Sequence, residues 1–325
     1  MRLLKLVPDN TNIGFVRLRY WAFGLTALLT VLALTAVGLR GLNFGVDFIG
    51  GVMIEAKFPT APSLDQVRGE VDRLSVGEAS LQTFGAPDTV SIRLPNPATS
   101  DEGATNRLVN KVEGDLKNHY PGIIFNQANT VSGKVSGELI RNGLLAVFLA
   151  VLGIAVFSWL RYEWQFGVST FVAIAHDVLM TLGFFALTRL EFDLNIVAAV
   201  LTIIGYSIND KIVIDDRIRE NMRKYRQMDM RALVDLSVNE TLPRTVMTSL
   251  TILLALASLL IFGGPVLRGF TAAMMLGVIV GTYSSIYVSS SLLITLGLKP
   301  QIAQSPKKAG MKGPPNGAER VGPRR

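Results

Sequence analysis

Six apolar runs, each long enough to cross a bilayer, dominate this chain. A hydrocarbon core about 30 Å thick takes about 20 apolar residues to span as helix, so runs of this kind leave few folds open. By length and polarity they cover about Trp21–Leu39, Asn142–Leu160, Phe166–Leu187, Ile196–Ile214, Val246–Phe262 and Thr271–Leu296. The composition agrees, since 49% hydrophobic and 18% charged over 325 residues fits a multi-spanning membrane protein and not a soluble globule. A net charge of +7 would suit a nucleic-acid binder, but the basic residues gather beside the spans, so no nucleic-acid partner is expected. With no cysteine, disulfides and thiolate metal sites are excluded.

Basic flanks give the orientation. Arg17 and Arg19 precede the first span, Arg217, Arg219, Arg223, Lys224, Arg226 and Arg231 follow the fourth, and Lys299 to Arg325 holds seven more. Arg189 and Arg268 alone occupy the opposite short loops. Both termini are therefore expected in the cytosol. The first run resembles a signal peptide at its start, but its apolar length and the five spans that follow make it an anchor. The expected division is a cytosolic N-terminus at 1–19, a first span at 20–39, an outer domain at 40–137 and a five-helix membrane domain at 138–298. A basic tail rich in Gly and Pro follows at 299–325, with a composition that suits disorder.

The outer domain reads as β-α-β-β-α-β. Val52, Ile54, Ala56 and Phe58 alternate with polar residues, as in a half-buried strand. Ser63 and Gln66 make a capping box ahead of a helix whose stripe is Leu64, Val67, Val71 and Leu74. A strand over 79–84, the turn Gly85-Ala86-Pro87-Asp88 and a strand at 90–94 follow. A second helix starts near Ser100 with Leu108, Val109, Val112 and Leu116 on its inner face, and a last strand covers Ile123–Val131. That order is the ferredoxin-like split unit. In the membrane domain, Met230, Leu233, Val234, Val238 and Leu242 recur at helical spacing in a cytosolic segment, 217–245, expected to lie in the membrane interface.

Charged residues inside spans are costly and mark function more often than packing. Asp210 sits about four residues inside the cytosolic end of the fourth span, and Arg244 just ahead of the fifth. A guanidinium nearby holds a carboxylate ionised, and its withdrawal in an apolar setting favours protonation, which would make the pair a switch; the plainer reading is a static pair at a helix end. Lys211 is expected to snorkel or to pair locally. His176 and Asp177, near the centre of the third span, are either interhelical hydrogen-bonding glue or a relay step. Gly277, Gly281, Ser285 and Ser289 recur every four residues along the sixth span, a small-residue face for close packing. The other histidine, His119, is on the outer domain, so no metal or cofactor is expected.

Several segments together resemble the SecF branch of the SecD/SecF family of bacterial protein-translocase subunits: GVDFIGG (45–51), VSGKVSGELIRNG (131–143), AIAHDV (173–178), IGYSINDKIVIDDRIREN (204–221), RTVMTSLT (244–251) and FGGPVLRGF (262–270). Their order and the single outer domain match the family over nearly the whole chain except the tail. The resemblance implies membership of the resistance–nodulation–division superfamily of proton-driven machines and a six-span inner-membrane subunit that is not an enzyme. It implies SecD, the SecYEG channel, YajC, the translocating preprotein and membrane lipids as partners. The family's proton-pathway aspartate and arginine fall on Asp210 and Arg244. Three rivals stand beside it: a small-molecule proton exporter of the same superfamily, an intramembrane aspartyl protease using Asp177 and Asp210, and a clamp that uses no protons. The protease requires two carboxylates within a few Å, whereas the spans put these at unequal depths.

Overall fold

The computed structural model describes residues 8, 11–77, 79–96, 102–126, 128–264 and 266–299; Ser100, Asp101 and the tail beyond Lys299 lie outside them. It contains six helices long and apolar enough to cross a membrane. Helix α1 (Arg19–Arg40) leads through a short strand β1 (Asn43–Phe44) and a one-turn helix α2 (Val46–Ile49) into the small domain. That domain comprises β2 (Gly51–Lys57), α3 (Leu64–Arg73), β3 (Ser80–Thr83), β4 (Thr89–Leu94), α4 (Glu102–His119), β5 (Ile124–Phe125) and β6 (Asn129–Val131). The membrane domain follows with α5 (Gly133–Arg161), α6 (Trp164–Thr188), a strand β7 (Glu191–Phe192), α7 (Leu194–Lys224), α8 (Met230–Phe262), α9 (Arg268–Tyr283) and α10 (Ser290–Thr295). A π-helical segment, Ser284–Ser289, joins α9 to α10.

The sheet order β3-β4-β2-β5, all antiparallel with β6 also on β2, is the ferredoxin-like arrangement. Val52, Ile54 and Ala56 are fully buried against Val67, Val71, Val112 and Leu116 of the two helices, which is the core that the alternation predicts. Two local details differ from the sequence reading. The last strand is broken into two short pieces, because Asn126 bonds the Glu55 carbonyl and side chain at the break. At the start of α3, Ser63 has extended backbone but makes no side-chain cap, so the capping-box bond is absent.

A larger correction concerns 217–245. Residues 217–224 complete α7, and Met230 onward is one continuous helix with the fifth span, despite Pro243 inside it. Proline frees the carbonyl four residues back, here that of Asn239. The Thr11 hydroxyl lies 3.5 Å from that oxygen, and the Asn239 side chain clasps Ile13 through both its backbone N–H and its carbonyl. The apolar stripe Leu233, Val234, Val238 and Leu242 packs on Phe15, Val16, Ile214, Ile218 and Met222, so it lies inside the protein and not in the interface.

Helices α6, α7 and α9 form the centre, with α1 and α5 on α6, and α8 on α7 and α9. Small residues set the closest approaches. A Cβ on Gly183 of α6 would meet the Ala33 Cβ of α1 at 2.5 Å, and one on Gly277 of α9 would meet Ile203 of α7 at 2.4 Å. Gly281 lies over Ser207, and the Ser285 hydroxyl donates to the Ser207 carbonyl. The stripe Gly277, Gly281 and Ser285 therefore faces α7.

Candidate functional site

The centre of the bundle is polar. Asp177, fully buried on α6, receives the Ser207 hydroxyl of α7 at 2.5 Å and the Ser284 hydroxyl of the π segment at 3.0 Å on one oxygen. Its other oxygen lies 3.1 Å from the neighbouring His176 Nδ1. Asp177 thus ties three helices together. His176 Nε2 is buried without a hydrogen-bond partner among the described residues.

One turn further along α7 comes a buried ion pair. Lys211 and Asp215 approach to 2.8 Å with side chains 2% and 3% exposed. The spacing of four residues puts both on one helix face. The ammonium also donates to Ser169 of α6 at 2.9 Å and to Ser289 of the π segment. Lys211 therefore pairs locally and does not snorkel. The π segment accounts for this reach: Ser290 donates to the Ser285 carbonyl five residues back, and the wider turn holds Ser284, Ser285 and Ser289 all inward. π-turns inside helices recur at functional sites.

Asp210 stands apart from both groups. It is 3% exposed, and its Oδ2 has no hydrogen-bond partner among the described residues. Among the described residues no ion pair joins it to Arg244, although the Arg244 guanidinium, exposed on α8, acts on it through space. Counting from the outer ends of α7 and α8, Asp210 lies 16 residues in and Arg244 18 residues in, about 24 and 27 Å at 1.5 Å per residue. The two occupy similar depths on adjacent helices. Asp177 and Asp210 share no hydrogen bond, so the described residues do not assemble a protease dyad.

A second constellation, which the sequence reading missed, joins the small domain to the bundle. Strand β1 pairs in parallel with β7, the link between α6 and α7. Arg93 of β4 meets Glu191 of β7 at 2.6 Å, and Gln82 of β3 donates to the same carboxylate at 3.2 Å. Arg93 also donates to the Phe44 carbonyl, and Asn43 to the Arg189 carbonyl. Burial pushes the Glu191 carboxyl up from its ordinary value while Arg93 opposes the shift; Asp193 is raised by burial too. Asp47 accepts the Leu194 N–H and Asp193 the Ile196 N–H, so two carboxylates cap the N-terminus of α7. Gly50 and Gly51 have φ of 76° and 123°, and a Cβ on Gly51 would lie 2.4 Å from the Leu94 carbonyl oxygen. The GVDFIGG motif thus has a mechanical sense: it caps α7 and turns the chain tightly into β2.

These features can be set beside known proteins. A family model described as protein export membrane protein SecD/SecF, C-terminal, matches residues 111–299, and the SecD/SecF GG motif matches residues 35–58. The chain belongs to the SecD/SecF family. A protein translocase subunit SecF of Cereibacter sphaeroides is 43% identical over 316 residues, covering 94% of this chain and 96% of that protein. A relative with the same description from Rickettsia rickettsii is 39% identical over 291 residues, covering 89% and 94%. The crystal structure of SecDF, a translocon-associated membrane protein from Thermus thermophilus, matches with a TM-score of 0.81 at 34% identity over 90% of this chain. SecDF in its super-membrane-facing form matches with a TM-score of 0.66 at 36% identity over 88%. The chain spans 39% of each of those SecDF chains. It is a SecF-like multi-pass membrane protein, with six spans and an intervening α+β domain.

The metal expectation meets one qualification on the outer domain. Glu70, Asp115 and His119 bring ligand atoms within 4.8 Å of one another. Arg73 already donates to both Glu70 oxygens at 3.0 and 2.8 Å, so that carboxylate is engaged by a guanidinium.

Proposed function

We propose that this chain is the SecF subunit of the bacterial Sec export machinery. With SecD it uses the proton-motive force to help complete preprotein translocation on the periplasmic side of the SecYEG channel, with YajC as an accessory partner. The carrying observation is Asp210: a buried carboxylate with an oxygen that has no partner among the described residues, level with Arg244 and joined to it by no ion pair among them. Such a group can gain and lose a proton without first breaking a tight pair, and each charge state changes its attraction to the neighbouring helix. In the orientation given by the basic flanks, the small domain is periplasmic and both chain ends lie in the cytosol. His176 and Asp177 then act as the polar joint between α6, α7 and the π segment, and Gly277, Gly281 and Ser285 as the close-packed face on which α7 can move.

The energies are of the right size. A proton crossing the membrane brings about 2.3 kcal/mol per 100 mV, and inverting a two-state population takes about 5.5 kcal/mol. At about 100 mV, two to three protons per cycle would reset the periplasmic domain. Its connection to the proton site is short, because α7 carries Asp210 and is capped by Asp47 of α2, the turn that leads straight into the domain. The test is Asp210→Asn in SecF-deficient cells, scored by completion of preprotein export with and without an uncoupler. Loss of the uncoupler-sensitive part is expected; an intact one overturns the motor reading. A small-molecule exporter would instead show drug sensitivity with normal preprotein processing.

A further inference from the structure

The cytosolic end of the bundle carries a charged cavity that the motor reading leaves unused. It has a volume of about 520 Å³ and is lined by Arg161, Asp216, Arg219, Glu220, Arg223 and Lys224. Both of its carboxylates are engaged: Asp216 accepts the Tyr162 hydroxyl at 2.8 Å, and Glu220 pairs with Arg217, outside the lining, at 3.1 Å. Its four cations have no ion-pair partner among the described residues.

Two of these cations are held in place. The Arg161 and Arg219 guanidinium carbons lie 5.2 and 5.7 Å from the ring centre of Tyr162, whose side chain is buried in the α5–α6 turn. Arg219 also donates to the Arg161 carbonyl at the end of α5. Two like charges fixed on one aromatic ring repel each other, and an anion between them would relieve that cost. Alongside, Trp159, Leu160 and Trp164 are 60%, 80% and 51% exposed. Exposed indoles at a span end mark the headgroup level of a bilayer, and the exposed apolar face of α5, including Val156, Phe157 and Leu160, runs from there into the hydrocarbon.

We propose that this cavity is a binding site for an anionic phospholipid, its phosphate held by Arg161 and Arg219 with Arg223 at the rim, and its acyl chains along α5. The match is one of charge and continuity: basic pockets between spans at the cytoplasmic side suit anionic headgroups, and here the apolar path begins at the rim. The placement rests on the orientation proposed above. Lipid binding in detergent does not depend on that orientation or on proton coupling, so the two readings fail separately.

The test uses the purified full-length chain in mild detergent, with retained lipid counted by native mass spectrometry against added phosphatidylglycerol or phosphatidylcholine. One phosphatidylglycerol should be retained in preference to phosphatidylcholine. Arg161→Gln/Arg219→Gln should weaken it about ten- to thirty-fold, as expected for two headgroup cations, while Arg161→Lys/Arg219→Lys should restore most of the affinity. Arg223→Gln, at an exposed helix position where folding is not at stake, should weaken it several-fold. Arg17→Gln/Arg231→Gln removes the same charge at a different basic cavity of this face, lined by Val16, Arg17, Arg19, Tyr20, Arg231 and Asp235; it should leave this affinity within threefold. Equal retention of both lipids, an unchanged Arg223→Gln, an equal loss in the Arg17/Arg231 control, or displacement by inorganic phosphate at matched concentration would each overturn the proposal.

Discussion

Replacing Lys211 by Met should be among the most damaging conservative changes in the membrane domain. The ammonium is 2.8 Å from Asp215, with both side chains all but inaccessible, and it bridges α7 to Ser169 and Ser289 on two other helices. Methionine fills similar volume, so packing is nearly kept and the loss is electrostatic. Removing one partner of a buried pair leaves the other uncompensated and costs about 3–5 kcal/mol. Asp215→Leu strands the ammonium and should cost a similar amount. The double variant, Lys211→Met with Asp215→Leu, removes both charges and should return to within about 1–2 kcal/mol of the parent, because buried pairs replaced by apolar groups are close to neutral. The coupling energy of the cycle is then about 3 kcal/mol or more, far above the additive case. Thermal and denaturant unfolding of the purified protein in one detergent reads all four corners. A single variant within about 1 kcal/mol of the parent, or a double variant as unstable as the sum of the singles, would refute the reasoning.

Other outcomes follow from the same geometry. Gly183→Ala should destabilise more than Gly277→Ala, because the new methyl meets the Ala33 backbone in one case and a movable Ile203 side chain in the other; about 1–3 kcal/mol is expected at Gly183 by unfolding. Glu191 is held above its ordinary carboxyl value of 4.5 by burial, so its contribution to stability is complete below that value and is lost as pH rises through the raised one. Glu191→Gln, an uncharged stand-in for the protonated carboxyl, should show a flatter stability–pH curve above pH 4.5; an unchanged slope would discount Glu191. Asp47→Ala should loosen the first turn of α7 and cost about 1 kcal/mol, read as faster amide exchange at Leu194.

The spans were legible because lipid imposes one period and one length, and the small domain because its strands alternate and its helices keep a stripe. Asp210 was legible as a charge in an apolar run. Other features carry no such signal. Arg93 and Glu191 are ordinary charges in a strand and a link, and only the fold brings residues so distant in sequence to 2.6 Å. The serines of the π segment look like an every-fourth-residue packing face, and nothing in their spacing tells a five-residue hydrogen bond from a four-residue one. Asn239, Pro243 and Arg244 read as the end of an amphipathic interfacial segment separate from the fifth span, because the N-terminal chain that satisfies Asn239 lies more than 220 residues away. Lys211 and Asp215 stand at helical pairing distance, which was the available clue to their bond.

The cap that Asp47 places on α7 bears on how such proteins can be recombined. A chimera cut where the apolar runs stop would graft a foreign globule while leaving behind the Arg189–Asp193 bridge to which its sheet is riveted. The natural module for transplantation therefore runs from Asn43 to Val131 and takes that distant bridge with it, two separate stretches of gene that must travel as one part.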